Sequence, residues 1–160
     1  MKILIATDGS QFSRAAVENV CRMLNGAEKE ASVKIVSVFE PPLLAAASAP
    51  YAFPAQYNPV MEKELREAAD NSVSEAARQA RSVLPMLNGN LTTRVLCGLP
   101  AAQAIVEEAR EWSADLIVVG SHGYGFWQRM LLGSVSNAVV HHAPCSVLVV
   151  RDKNRRVEEN

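Results

Sequence analysis

The chain has few of the features that mark extracellular, zinc-binding or membrane-spanning proteins. Its three cysteines, Cys21, Cys97 and Cys145, are an odd number and show no C-x-x-C spacing, which argues against a disulfide framework or a zinc site. No apolar run approaches the roughly 20 residues that a membrane-spanning helix needs. We therefore expect three free thiols that fill apolar space, in a protein of the reducing cytoplasm that has no membrane partner.

An excess of charge of either sign is also missing. The 160 residues include 16 basic and 17 acidic side chains, which gives a formal net charge of −1. Nucleic acids and anionic membranes attract proteins with a basic excess, so we expect no nucleic-acid partner. Residues 1–6 are too short an apolar stretch for a signal peptide and carry no cleavage site, which also favours a cytoplasmic location.

What the chain does contain is enough apolar sequence for one domain with a sizeable core. Hydrophobic residues make up 49% of it, within the ordinary globular range. Short runs rich in Val and Ile, with little polar alternation, are typical of strands buried on both faces of a parallel sheet. We predict strands at 2–6, 32–39, 91–97, 115–120 and 145–151. The third run contains Thr and Arg, so it is a candidate edge strand.

Segments with apolar residues at three-four spacing lie between these strands and predict helices. They are 13–24, 61–84, 100–112 and 134–142. Ser13 is a candidate N-cap for the first helix, and Pro100 suits the first turn of the third. The alternation of strands and helices predicts a single α/β domain over 1–151, a doubly wound five-stranded parallel sheet with helices on both faces. The strand orders 3-2-1-4-5 and 2-1-3-4-5 both fit this pattern.

Two segments fall outside the alternating pattern. Residues 41–60 contain five of the eight prolines, a density that prevents a regular helix or an inner strand. An irregular connection of this length is a lid over a ligand, a surface loop or a contact with a partner. The tail, 152–160, is strongly charged, and we expect it to be frayed.

Glycines are concentrated after the fourth predicted strand. Gly120 and Gly123 allow the backbone to approach a ligand closely, and Gly133 precedes the last predicted helix. The first amides of a helix have no internal partner and lie at the positive end of its dipole. A glycine loop that leads into such a terminus is a receptor for phosphate, to which the hydroxyls of Ser134 and Ser136 would add donors. Neither the Walker nor the dinucleotide-binding pattern fits this loop.

The spacing G-x-x-G, nine residues, then G-[ST] resembles the nucleotide signature of the ATP-binding branch of the universal stress protein family. It is complete here, from Gly120 to Ser134. Residues 3–10 resemble the opening strand and acidic turn of that family, and 141–150 resemble its last helix and strand, with Ser146 in place of the usual proline. The resemblance implies the strand order 3-2-1-4-5, which brings the segments after the first and fourth strands to one crevice.

The resemblance also implies a nucleotide site, residue by residue. Ala6, Thr7 and Asp8 match positions on the adenosine and ribose side, and Val38 matches an apolar contact to adenine. The matches at the end of the fourth strand and in the phosphate cradle are Val119, Gly120, Gly123, Gly133, Ser134, Val135 and Ser136. Considered alone, Asp8 fits a ribose hydroxyl, a phosphate-bound Mg²⁺ held through water, or a turn cap.

These observations predict a regulator or sensor that binds ATP, ADP or AMP and acts as a homodimeric switch. The sequence shows no clear base, nucleophile or lysine for phosphoryl transfer, so we assign no catalytic or metal-binding residue. A slow ATPase, with Asp8 or His122 as base, and a non-catalytic interaction module are the alternatives. The apolar run Val147–Val150 would lie at a sheet edge, and the resemblance implies that it pairs with its copy in a second chain.

Overall fold

A computed structural model of the protein describes residues 1–41, 58–85, 87, 90–98, 100–123 and 132–151. Strands and α-helices alternate along it, and a 3₁₀ turn at Glu28–Glu30 precedes the second strand. In chain order they are β1 Lys2–Ala6, α1 Gln11–Leu24, β2 Ser32–Phe39, α2 Pro59–Val83, β3 Leu91–Cys97, α3 Ala101–Trp112, β4 Leu116–Gly120, α4 Ser134–His142 and β5 Ser146–Val150. All the predicted strands and helices are present, and their bounds differ from the predicted ones by at most two residues.

The five strands form one parallel sheet in the order β3-β2-β1-β4-β5. This finding confirms the predicted fold class and decides between the two strand orders. In the sheet register Ile3 of β1 lies opposite Val33 of β2 and Leu116 of β4. The chain winds in one direction from β1 to β3 and in the other from β4 to β5. The connections after β1 and β4 therefore diverge, and a crevice opens between them.

Each face of the sheet carries its own apolar core. Ile3 and Ile5 point to the face covered by α1 and α2, and Leu4 points to the face covered by α3 and α4. All three side chains are at most 1% exposed. Because successive side chains of a strand alternate between faces, a strand covered on both sides must be apolar throughout. This requirement explains why the strands read as continuous Val and Ile runs.

The start of α1 differs from the prediction. The helix begins at Gln11, and the side chain of Ser10 caps it by accepting a hydrogen bond from the backbone N–H of Ser13 at 3.3 Å. The prediction that Ser13 is the N-cap was wrong, because a serine three residues earlier occupies that position. Ser13 consequently lies inside the first turn of the helix and is buried.

The irregular segment predicted for 41–60 ends earlier than expected. Asn58 caps α2 by accepting hydrogen bonds from the N–H groups of Val60 and Met61 at 3.1 and 3.3 Å. Pro59 follows as the first helical residue, a position where proline loses no hydrogen bond. The rest of that segment, 42–57, and the tail, 152–160, lie outside the described residues, so the predictions made for them stay predictions.

The cysteines follow the expectation in part. Cys21 is buried in α1 and Cys145 is partly buried, whereas Cys97, at the end of the edge strand β3, is exposed. The prediction that all three fill apolar space was therefore wrong for Cys97. In the part of the chain that the structure describes, no helix is long and apolar enough to cross a membrane.

Candidate functional site

A cavity of about 390 Å³ lies where β1 and β4 end. This volume falls in the lower part of the range typical of small-molecule sites. All eleven residues assigned to the site from the sequence line the cavity, so the fold brings together segments more than a hundred residues apart. The lining also includes five residues that the sequence did not assign to the site: Ser13, Val36, Ala101, Ile105 and His122.

One part of the lining is apolar and belongs to β2 and α3. Val36 and Val38 point from β2 toward the face covered by α3, which contributes Ala101 and Ile105. Such a surface suits a flat aromatic base, which gains dispersion contacts without needing a hydrogen bond at every position. Sequence periodicity marks Ala101 and Ile105 only as the inner face of a helix, so it could not separate a cavity wall from the core.

The turn after β1 forms the floor of the cavity through a chain of hydroxyl groups. The Thr7 hydroxyl donates to Ser13 Oγ at 3.0 Å, and the Ser13 hydroxyl donates to the carbonyl oxygen of Ser10 at 3.0 Å. The N–H of Gly9, which has a φ of 81°, donates to Thr7 Oγ1 at 3.2 Å. These bonds fix the turn and use the proton of each hydroxyl group, and both residues line the cavity.

Asp8 joins the floor to the glycine loop. Its Oδ1 accepts a hydrogen bond from the N–H of Ser10 at 3.0 Å, which is the turn-capping role considered from the sequence. Its Oδ2 lies over Gly123, where an added Cβ atom would sit 2.6 Å from it. A glycine at position 123 therefore lets the carboxylate lie against the loop backbone, and Asp8 combines turn capping with a place in the cavity lining.

The N-terminus of α4 presents to the cavity backbone donors that have no acceptor within the helix. Gly133 is the N-cap and supplies no side chain to cap the helix. Its carbonyl oxygen accepts the first intrahelical bond, from the N–H of Asn137 at 2.9 Å. The amides of Ser134, Val135 and Ser136 precede that bond and have no acceptor within the helix. Together with the positive end of the helix dipole they form an anion-binding terminus.

Ser121 fixes this helix start against the end of β4. Its carbonyl oxygen accepts hydrogen bonds from the Gly133 N–H at 2.8 Å and from the Ser136 hydroxyl at 3.0 Å. The same Ser136 hydroxyl lies 3.0 Å from the carbonyl oxygen of Gly133. From the sequence, the Ser136 hydroxyl was expected to donate to an anion. The structure instead directs its single proton to backbone carbonyl groups, so its visible role is to position the helix terminus.

Gly120 packs closely against Phe12 in the first turn of α1. A Cβ atom at this position would lie 2.8 Å from the carbonyl carbon of Phe12 and 2.9 Å from its carbonyl oxygen. The sequence attributed this glycine to the approach of a ligand. The contact shows a structural reason for it, because the first turn of α1 packs directly on the last residue of β4.

His122 contacts its neighbours on two sides. Its Nδ1 lies 3.1 Å from Ser121 Oγ, and its ring centroid lies 5.4 Å from that of Phe12 at an interplanar angle of 54°. These contacts attach the start of the glycine loop to α1. They also place His122 on the cavity lining, beside Gly123.

The fold and the site together define a class of protein: a doubly wound α/β domain with a ligand-sized crevice at its switch point. The model of the universal stress protein family matches residues 1–151. A universal stress protein of Methanocaldococcus jannaschii is 33% identical over 150 residues, which cover 94% of this chain and 81% of that protein. The chain belongs to the universal stress protein family.

Other relatives match over shorter segments. Universal stress protein A homolog 2 of Coxiella burnetii is 41% identical over 88 residues, 54% of this chain and 59% of that protein. A relative from Staphylococcus epidermidis is 48% identical over 62 residues, 39% of this chain and 37% of that protein. The matched segments thus span less than two thirds of these relatives.

Solved structures share the fold over nearly the whole chain. UspA from Lactobacillus plantarum has a TM-score of 0.65 at 26% identity, covering 94% of this chain and 97% of that one. A universal stress protein in complex with cAMP has a TM-score of 0.62 at 24% identity, covering 94% and 96%. A family member from Arabidopsis thaliana with AMP bound has a TM-score of 0.63 at 16% identity, covering 96% and 93%.

Proposed function

We propose that this protein binds an adenine nucleotide in the cavity between β1 and β4 and serves as a cytoplasmic stress-response regulator. ATP is the proposed principal ligand, with ADP and AMP as alternatives. The observation that carries the proposal is the composition of the lining. An apolar wall from β2 and α3 lies on one side of β1, and the N-terminus of α4 lies on the other. A nucleotide has the same layout, since its base and its phosphates lie at opposite ends of the sugar.

The known complexes of related folds support this ligand class. One universal stress protein was solved with cAMP and one family member with AMP. Both ligands contain adenine, a ribose and one phosphate. In the present chain Val38 would contact the base, and Gly133, Ser134 and Val135 would cradle the phosphates. Asp8 supplies a carboxylate for a phosphate-bound Mg²⁺, which keeps most of its water ligands in such sites.

The lining favours a nucleotide-retaining switch over an enzyme. Among the described residues of the cavity lining, Asp8 and His122 are the ones that titrate, and there is no lysine or arginine. Efficient phosphoryl transfer needs cationic groups on the transferred phosphate and a positioned base. Nδ1 of His122 already contacts Ser121. We therefore expect hydrolysis of ATP to be slow, with at most a few product molecules released per site during an assay.

We also propose that two chains pair through β5. This strand lies at the edge of the sheet, and Val147, Leu148 and Val149 are only partly buried. An open apolar edge is a template for pairing, and an antiparallel pair of β5 strands across a two-fold axis would close it. Light scattering at tens of micromolar should give twice the 17.3 kDa mass of one chain. A single-chain mass at that concentration would contradict the dimer.

The nucleotide itself is tested by extraction. Protein purified without added nucleotide is denatured, and the released small molecules are separated by ion-exchange chromatography against adenine nucleotide standards. About one nucleotide per chain is expected, because the cavity has the size of a single small-molecule site. If the protein is purified empty, ATP with Mg²⁺ should raise its melting temperature, because a ligand of the native state stabilises that state. The proposal would be contradicted if the protein were purified empty and none of ATP, ADP and AMP raised its melting temperature.

A further inference from the structure

Three side chains on the cavity floor present only acceptors to a ligand. A hydroxyl group has one proton, and the proton of Thr7 is donated to Ser13 while that of Ser13 is donated to the carbonyl oxygen of Ser10. Each of these oxygens accepts one hydrogen bond already, from Gly9 and Thr7 respectively, and keeps one further lone pair. Asp8, when ionised, is also an acceptor without a proton. The floor is therefore complementary to a group that donates.

The N-terminus of α4 offers hydrogen-bond donors, whereas the cavity floor offers acceptors. There the N–H groups of Ser134 and Val135 have no intrahelical acceptor and can only donate. The lining thus separates donors from acceptors, with phosphate suited to the helix terminus and a hydroxyl-bearing group suited to the floor. Strand order places the floor, after β1, between the apolar wall on β2 and the loop after β4. The part of a nucleotide that lies between base and phosphate is the sugar, and its hydroxyl groups are donors.

We propose that Ser13 is a specificity-determining residue that accepts a hydrogen bond from a ribose hydroxyl and so selects ribonucleotides over deoxyribonucleotides. This inference rests on the proposed function and assigns a role to a residue outside the eleven matched positions. Ser13 is 3% exposed before any ligand binds, so little solvent is available to hydrate its oxygen. A deoxyribonucleotide would leave the remaining lone pair of that oxygen without a donor, which loses about one hydrogen bond. Asp8 is less buried and can be hydrated instead.

The local structure holds the Ser13 oxygen in place before a ligand arrives. Its hydroxyl is tied to Ser10 on one side and Thr7 on the other, and its backbone N–H donates to Ser10 Oγ at 3.3 Å. A side chain fixed by two hydrogen bonds loses little freedom when it binds a ligand. The geometry therefore suits discrimination between sugars, for which a movable acceptor would be less effective.

The test compares sugars on three proteins. Affinities for AMP, 2′-deoxy-AMP and 3′-deoxy-AMP are measured by calorimetry on the wild type, on Ser13→Ala and on Ser10→Ala. Ser10 is the matched control, because it is a buried serine in the same turn but does not line the cavity. The wild type should bind AMP about twofold to tenfold tighter than at least one deoxy analogue, the range expected for the loss of one hydrogen bond. Ser13→Ala should lose that preference, and Ser10→Ala should keep it while melting at a lower temperature.

Several outcomes would overturn the inference. Equal affinities of the wild type for all three nucleotides would do so without any variant, as would an unchanged preference in Ser13→Ala. If Ser13→Ala does not fold, Ser13→Cys replaces it, since a thiol of similar shape is a weak acceptor; it should lose the preference too. Failure of the wild type to bind AMP, ADP or ATP would instead overturn the proposed function, and this inference with it. Binding of AMP without sugar selectivity would leave the nucleotide site intact and remove only the role of Ser13.

Discussion

Replacing Gly120 by alanine should loosen the packing of α1 on the sheet. The new Cβ atom would lie 2.8 Å from the carbonyl carbon of Phe12 and 2.9 Å from both its carbonyl oxygen and its Cβ atom. Two of these three atoms belong to the main chain, so no side-chain rotation relieves the contact. The start of α1 would have to move away from β4, and the helix carries Val17 and Val20 into the core. Overpacking of this kind costs about 1–3 kcal/mol.

For a chain of this length that cost corresponds to a fall in melting temperature of about 2–12 °C. Thermal unfolding followed by circular dichroism would measure it. Gly123→Ala is the control, because its Cβ atom would meet only the Asp8 carboxylate, at 2.6 Å, and that group can rotate. We expect Gly123→Ala to lose less stability but more nucleotide affinity. A Gly120→Ala protein as stable as the wild type, or a Gly123→Ala protein that melts at a lower temperature than Gly120→Ala, would refute this account of the two glycines.

Three further perturbations test other parts of the structure. Glu108 is 3% exposed and accepts hydrogen bonds from Lys34 Nζ at 2.7 Å and from Arg94 Nη1 at 2.5 Å. Glu108→Ala should therefore lower the free energy of unfolding in urea by about 1–3 kcal/mol; an unchanged midpoint would show that these two contacts contribute nothing. Cys97 is exposed, whereas burial raises the pKa of the Cys21 thiol. Ellman's reagent should therefore modify Cys97 at once and Cys21 only on unfolding, and early loss of the Cys21 thiol would contradict its burial. Gly133→Val would crowd the loop backbone, where an added Cβ atom already approaches within 3.3 Å. Nucleotide affinity should fall by about tenfold or more, with the far-ultraviolet spectrum kept, and wild-type affinity would count against the cradle.

Sequence periodicity predicted the helices and strands of the fold but did not decide the order of the strands in the sheet. The Val and Ile runs mark strands covered on both faces, and they placed β1 and β2 at their observed bounds. Which strands are neighbours depends on contacts between distant segments, such as Ile3 with Leu116. Local patterns do not report such contacts. The order 3-2-1-4-5 came from the family resemblance, and the structure confirmed it.

The residues of the candidate site that belong to a sequence motif were predicted. Residues that only the fold brings to the cavity were missed. The glycine spacing pointed to Gly123, Gly133 and Ser134, all of which line the cavity. Ser13 was missed because it was predicted to be the N-cap of α1, a position that Ser10 occupies. Its inward position follows from that start, since capping by Ser10 places Ser13 at the third helical position, against β1.

The central claim, that an adenine nucleotide occupies the cavity between β1 and β4, is tested most directly by nuclear magnetic resonance. ¹⁵N-labelled protein is titrated with AMP and with ATP and Mg²⁺, and the amide signals are followed. The account predicts saturable shifts for the amides of Gly123, Ser134 and Val135, while amides of the edge strand β3, such as Thr92, stay in place. Signals that do not move at millimolar nucleotide, or that move mainly on β3, would contradict it.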